Sequence, residues 1–252
     1  MDDMETASVK LVYESISKRS EALVNVPPPL TDEQLVLAAD CDAVLVNFIT
    51  GQELTLPRMR QLREAARGHV HLDVHNKISS WLPEGGREFI GLPDWREWFA
   101  CCDTVQMNEF EIELVLGRDV KTVTEYLAAA NELLDAVSIA AMITLGPKGS
   151  ILAYQNERDG EVYGCEWPAA ELGDVIDTTG CGDSFSGGFI WSYLQKRDPV
   201  WANAAANVVG GVNCTTPGIG NLTRARQMEQ LIPLAFPTLT ASIDDGWCGE
   251  RL

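Results

Sequence analysis

Positive charge is scarce in this chain. Against 37 Asp and Glu stand only 19 Lys and Arg, for a net charge of −18 over 252 residues. Nucleic-acid binders neutralise phosphates with Lys and Arg, so this balance argues against that class of partner. A nucleotide still fits, because magnesium and backbone N–H groups can meet its charge locally. Histidine is rarer, with three residues, all between positions 69 and 75. No run of 18 apolar residues occurs, so no membrane-spanning helix is expected. The opening Met1-Asp2-Asp3-Met4-Glu5 is acidic and lacks an apolar signal core. There is no C-x-x-C pair, which removes the usual ligands of a structural zinc. The seven cysteines are odd in number, and Cys101 and Cys102 are adjacent. A disulfide framework is therefore not expected, and a reducing cytoplasm fits. No internal repeat or low-complexity tract interrupts the chain.

What is present suits one large globular domain over residues 1–252, with 46% hydrophobic and 22% charged residues. Short apolar runs predict strands at 43–48, 70–74, 104–107 and 139–145. Helical composition lies between them. Residues 57–67 have Pro57 in a first turn and Gly68 as a stop. Thr122-Val123-Thr124-Glu125 is a capping box, opening a helix with Val123, Leu127, Ala130, Leu134 and Val137 on one face. Strands separated by single helices imply an α/β fold, a mostly parallel sheet covered on both faces. After Gly149 the rhythm changes to two strands, 150–154 and 161–167, around a polar turn. Two helices follow, at 183–196 and 200–213, the second with Pro199 at its first turn. Near the start, residues 8–14 alternate like a solvent-facing strand. Thr31-Asp32-Glu33-Gln34 begins a helix after three prolines.

The chemistry concentrates in Asp177-Thr178-Thr179-Gly180-Cys181-Gly182-Asp183-Ser184-Phe185-Ser186-Gly187-Gly188-Phe189. Gly180 and Gly182 leave the backbone bare, so its N–H groups can point at an anion. A helix N-terminus behind them adds roughly half a positive charge. Asp183 would then sit beside a bound phosphoryl group, facing an incoming hydroxyl. The stretch resembles the signature D-T-T-G-A-G-D-[ST]-F-x-G-G-F of the ribokinase-like (PfkB) carbohydrate kinases, with Cys181 in place of the alanine. Two further motifs follow the family's order. Asn108-Glu109-Phe110-Glu111 resembles its N-x-x-E, which orders magnesium and phosphate through water. Read as residues alone, Asn108 is equally a helix cap and Glu111 a first-turn acid. Thr144-Leu145-Gly146-Pro147-Lys148-Gly149 resembles the T-L-G-x-x-G turn, whose backbone lies along the nucleotide.

The resemblance implies a ribokinase-like three-layer fold and ATP-dependent phosphoryl transfer to a hydroxyl of a sugar or sugar-like molecule. Asp183 would be the base, and Gly180, Cys181 and Gly182 the anion hole. Asn108, Glu111, Thr144, Gly146 and Gly149 would serve ATP, with Glu111 holding Mg2+ through water. Asp177 and Thr179 match positions that bind a monovalent cation, usually potassium, with carbonyls of residues 214–218 nearby. The alternative for Asp177 is a hydrogen bond to its own turn. Asn207 falls where the family places a residue near the adenine. Tight helix packing would explain the surrounding small residues as well. The thiol of Cys181, at a helix N-terminus, is either a redox-sensitive group or a small residue in place of alanine.

His69, His71, Asp73 and His75 alternate, so a strand would carry all four on one face. A metal site there competes with ordinary strand-end polar residues. Asp73-Val74-His75-Asn76-Lys77 loosely resembles the family's strand-end aspartate followed by Asn and a basic residue. The family's opening motifs, a sugar-binding aspartate and a Gly-Gly, are not visible. Residues of about 7–28 would be the remnant of a β lid, and a lid with open edges implies a homodimer. The expected substrate is a pentose, ketohexose, sugar acid or nucleoside. Two other readings are a nucleotide-binding regulator without sugar turnover and a fragment of a longer kinase.

Overall fold

A computed structural model describes residues 6–13, 19–82, 86–218, 222–237 and 249–252. The acidic opening and Glu14 lie outside the described residues. The chain runs β1 (Ser8–Tyr13), β2 (Arg19–Asn25), α1 (Asp32–Ala39), β3 (Ala43–Asn47), α2 (Leu56–Ala65), β4 (His69–Asp73), β5 (Ser79–Trp81), β6 (Arg87–Phe89), α3 (Trp95–Phe99), β7 (Thr104–Asn108), α4 (Glu109–Leu116), α5 (Val123–Leu133) and β8 (Ala140–Thr144). It continues β9 (Ser150–Gln155), β10 (Val162–Trp167), α6 (Cys181–Lys196), α7 (Pro199–Asn213), α8 (Leu222–Ala225), α9 (Met228–Ala235) and β11 (Glu250–Arg251).

The central sheet has the order β11-β10-β9-β8-β7-β4-β3. Strands β3, β4, β7 and β8 are parallel neighbours. β9 turns back on β8, β10 turns again, and β11 closes the far edge antiparallel to β10. Successive side chains point to opposite faces, so each strand feeds two cores. Ala141 and Ile143 join α2 to α5 in one core, while Ala140 and Met142 join α6, α7 and α9 in the other. Three layers result, with the signature helix α6 on the second face. Two small antiparallel sheets stand outside the central one, β1 with β2 and β5 with β6. β2 lies against β6.

Local chemistry places most of these elements. Thr31–Gln34 and Thr122–Glu125 both close as reciprocal capping boxes. Three expectations need correction. The buried side of α5 is Tyr126, Ala129, Ala130 and Leu133, and Val123 is exposed. Helix α5 ends at Leu133, before the last positions of the expected stripe. Gly68 is not a left-handed helix stop: α2 ends at Ala65, and a Cβ on Gly68 would lie 2.2 Å from the Asp42 carbonyl oxygen. Close backbone approach is what requires glycine there. The alternation of His69, His71 and Asp73 holds within β4, but His75 falls beyond it in a short 3-10 turn, with φ 39°.

Candidate active site

The parallel strands end together, pairing Asn47 with Asp73, Asp73 with Gln106, and Asn108 with Thr144. Carboxyl ends of parallel strands are where open α/β sheets present their ligand sites. Helix α6 arrives above this row. Its N-cap, Gly180, has φ 74°, a left-handed turn that glycine adopts freely, and it offers no side-chain cap. The first turn therefore presents backbone N–H groups and the positive end of a 16-residue helix. Of the three expected anion-hole residues, Cys181 has its N–H directed at the Thr178 carbonyl, at 3.3 Å.

Asp183 lies in that first turn, exposed, and its Oδ1 accepts from Asn47 Nδ2 at 2.5 Å. Sequence reasoning missed Asn47. The two residues are 136 positions apart, and only the end of β3 brings the amide to the aspartate. The other amide atom, Asn47 Oδ1, is buried and has no hydrogen-bond partner among the described residues.

Asn108 caps α4, accepting from the Phe110 and Glu111 N–H groups at 2.9 Å each. Glu111 answers by accepting from the Asn108 N–H and its Nδ2 at 2.9 and 2.7 Å. The cap geometry is thus present, and it also buries Glu111. Burial pushes the Glu111 carboxyl up to about 7, against the Asn108 hydrogen bonds that favour its charge. Asp73 is buried as well. Burial, then the charges of Glu111 and Asp183, raise its pKa well above the ordinary range. A buried carboxyl cluster of this kind is relieved by a cation, so the residues fit magnesium held between protein, water and phosphate. Among the described residues no three His, Cys, Asp or Glu side chains stand close enough to cage a metal alone.

The Glu111 shift carries a stability consequence. Its folded pKa lies above the ordinary value of 4.5, so the folded protein holds the proton to higher pH than the unfolded chain. Stability is then lost as pH rises from about 4.5 through about 7, by about 3 kcal/mol in all. Glu111→Gln cannot ionise. Its stability relative to wild type should rise by up to that amount between pH 5 and pH 8 in urea unfolding. A difference that stays flat over this range would refute the assignment.

A row of buried polar groups underlies α6. Ser186 Oγ donates to Gln106 Oε1 at 2.6 Å and meets His71 Nε2 at 3.3 Å. His71 Nδ1 and His69 Nε2 both meet Thr104 Oγ1, at 2.8 and 2.7 Å. Burial lowers His71 to about 3 and His69 to about 4, so both rings are neutral. The two histidines are strand-to-helix connectors, held by hydroxyls. Asn76 and Lys77 turn away from the shelf, donating to the Ile49 and Gly51 carbonyls at 2.7 and 3.1 Å.

On the far side of the shelf, Thr144 ends β8, and the Gly146–Lys148 turn leads to Gly149. Asn207 is buried in α7, donating to Ser150 Oγ at 2.9 Å and to the Asn203 carbonyl at 2.8 Å. It thus ties α7 to the corner that follows Gly149. Packing accounts for one of its small neighbours, since a Cβ on Gly211 would lie 2.6 Å from the Ala170 carbonyl oxygen. In the loop before α6, Asp177 accepts from the Thr179 N–H at 2.9 Å and from the Gly218 N–H at 2.8 Å. The Cys214 carbonyl accepts from both Ile176 and Asp177. Two cavities of about 580 and 510 Å³ lie elsewhere, the larger beside Tyr154 and Arg197 at the opposite end of the sheet and the smaller beside Thr31 and Arg58.

Residues 19–226 match the profile of the pfkB family carbohydrate kinases. The chain belongs to that family. Its curated relatives include a deoxyribokinase of Salmonella typhi, 34% identical over 121 residues, which are 48% of this chain and 37% of the relative. A ribokinase of Staphylococcus aureus is 29% identical over 177 residues, 69% of this chain and 51% of the relative. The chain thus spans about half or less of the curated relatives it matches. The fold is similar to that of Arabidopsis thaliana ribokinase complexed with ribose and ATP, with a TM-score of 0.68 and 19% identity over 91% of this chain and 70% of that one. It is also similar to Burkholderia thailandensis nucleoside kinase in complex with inosine, with a TM-score of 0.65 and 20% identity over 93% of this chain and 70% of that one. Within this pfkB chain the signature stretch opens α6, the N-x-x-E stretch opens α4, and the T-L-G-x-x-G turn follows β8. All three motifs therefore stand at one end of one sheet. No described helix is long and apolar enough to cross a membrane.

Proposed function

We propose that this protein transfers a phosphoryl group from ATP to a hydroxyl of a sugar or nucleoside. The observation that carries this reading is Asp183 in the uncapped first turn of α6, hydrogen-bonded to Asn47 at the end of β3. The N–H groups of Gly180 and Gly182 face the transferring group and stabilise the charge it develops, and that of Cys181 joins them on leaving the Thr178 carbonyl, which it meets at 3.3 Å. Asp183 takes the proton of the attacking hydroxyl. An aspartate is a weak base for an alcohol, but in a loose transition state the proton leaves late and alignment matters more. Asn47 supplies alignment by fixing one carboxylate oxygen. Thr144, Gly146, Gly149 and Asn207 line the nucleotide side. Glu111 and Asn108 would hold magnesium through water, and the ion, when bound, would supply positive charge against the phosphates.

Relatives named for deoxyribose, ribose and a nucleoside support this acceptor class. The β1–β2 hairpin, beside β5–β6, serves as a short lid whose open edges pair between two copies. Asp177 and Thr179 hold potassium behind the anion hole. The Asp177 carboxylate and the Cys214 carbonyl each accept from two backbone N–H groups, which orders the loop in which the ion would sit. A regulator without turnover is the weaker reading, because Asp183 and its orienting amide are both in place.

The test is ATP consumption against a panel of sugars, sugar acids and nucleosides with magnesium, in sodium and then in potassium buffer. Turnover on one class should appear and rise several-fold in potassium. Silence across the panel, with ATP still binding, would sink the kinase reading. An equal rate in both salts would leave Asp177 as a turn residue only.

A further inference from the structure

Cys181 and Cys214 are 33 positions apart in sequence, yet their sulfurs lie 2.8 Å from each other. The approach is built from both sides. The Cys214 carbonyl accepts from the N–H groups of Ile176 and Asp177 at 2.8 and 3.2 Å. Asn213 Nδ2 donates to the Thr179 carbonyl at 2.8 Å and reaches the Cys181 sulfur at 3.4 Å. The end of α7 and the loop before α6 are thus stitched together around the two thiols. Both side chains are half-buried, within reach of a small solute. The two thiols share a hydrogen bond in which either can donate; with Cys214 as the donor, the Cys181 thiol falls to about 7 and that of Cys214 is raised. Cys101 and Cys102 differ: they are buried and their thiols are pushed up. Cys41 is exposed, with its thiol on the Leu37 carbonyl.

We propose that Cys181 and Cys214 form a reversible disulfide that switches the phosphate site off, with hydrogen peroxide as the oxidant. The effect on turnover rests on the kinase reading above, while the bond does not. The Cys181 thiolate attacks one peroxide oxygen, the O–O bond breaks, and the departing hydroxide takes a proton to become water. The Cys214 thiol then attacks the sulfenic sulfur of Cys181. The S–O bond breaks, a second water leaves, and the S–S bond forms. Two electrons have passed from the sulfur pair to the peroxide, and a dithiol reductant returns them.

The position of Cys181 makes this bond a switch. It is the first residue of α6, between the two glycines of the anion hole. Drawing its sulfur in to a bond of about 2.05 Å pulls the first turn toward α7. Gly182 and Asp183 move with it, and Asp183 leaves its alignment with Asn47. A misplacement of about 1 Å at a reacting centre can cost about a hundredfold in rate.

The experiment treats the full chain with micromolar hydrogen peroxide and blocks the remaining thiols with N-ethylmaleimide. The digest is read by mass spectrometry, with turnover and ATP binding measured on the same samples before and after dithiothreitol. The expected result is a linked Cys181–Cys214 peptide and a loss of turnover of at least tenfold, recovered on reduction. Cys214→Ser, scored against its own untreated activity, should lack that reversible component. No linked peptide at an inactivating dose would overturn the proposal, as would a linked peptide with turnover unchanged. So would an equal reversible loss in Cys214→Ser. If the reduced protein turns over no acceptor, the kinase reading fails separately. The linked peptide, with reversible weakening of ATP binding by calorimetry, then decides the switch alone.

Discussion

Asp183→Asn should lower kcat by about a thousandfold while leaving ATP affinity within about twofold. The two effects separate because the substitution is nearly isosteric. Asparagine still presents an oxygen to Asn47 Nδ2, the contact that Asp183 makes at 2.5 Å. Asp183 is exposed in the first turn of α6, so the fold loses nothing that it buries. The backbone N–H groups that would hold phosphate are untouched. What disappears is the acceptor for the proton of the attacking hydroxyl, a role that matters only as the transition state forms. Steady-state kinetics, with calorimetry for ATP, checks both halves. A variant that retained more than about a tenth of its turnover would remove Asp183 from the base position.

The second large effect is structural. Gly149 has φ 98°, and a Cβ built there would lie 1.9 Å from the Trp167 carbonyl oxygen, 2.5 Å from the Pro168 carbonyl carbon and 2.6 Å from the Ala169 nitrogen. All three are backbone atoms, with no flexible side chain to give way. Gly149→Ala should cost more than about 4 kcal/mol, a large fraction of the stability of an ordinary domain. Gly146 is the internal control. It sits three residues earlier in the same turn at φ 57°, with nothing within 4 Å of a Cβ. Gly146→Ala should cost only the left-handed backbone penalty, about 1–2 kcal/mol. Urea midpoints of the two variants compare them directly. Equal losses would mean that φ alone decides, and that the close approach at Gly149 is absent.

Much of this was legible because it is local. A capping box spans four residues, so Thr31, Asn108 and Thr122 could each be read without knowledge of the rest. The strand runs that end at Asn47, Asp73, Asn108 and Thr144 were readable from short apolar stretches, although β4 and β7 also bury His69, His71, Thr104 and Gln106. The three motifs gave the end of the sheet at which to look. Illegible were the meetings between distant segments. Nothing near Asn47 announces Asp183, and nothing near Cys181 announces Cys214. Gly68 looked like a helix stop because its constraint comes from Asp42, across a strand connection. The α5 stripe was drawn too far because the helix gives way to a turn after Leu133.

The polar row beneath α6 bears on how that helix keeps its place. Phe185, Phe189 and Tyr193 recur at intervals of four, and His71 and His69 lie tilted against the last two. An apolar repeat of this kind is nearly indifferent to a slip of one turn, about 5.4 Å, because each ring would move into its neighbour's seat. Ser186 removes the ambiguity. Only in the observed seating does its hydroxyl meet both Gln106 and His71. A slipped helix would strand those groups unpaired in the interior, at about 1–3 kcal/mol each. The serine is the notch of a key: grease lets the helix slide into the lock, and one hydroxyl decides the depth at which it stops.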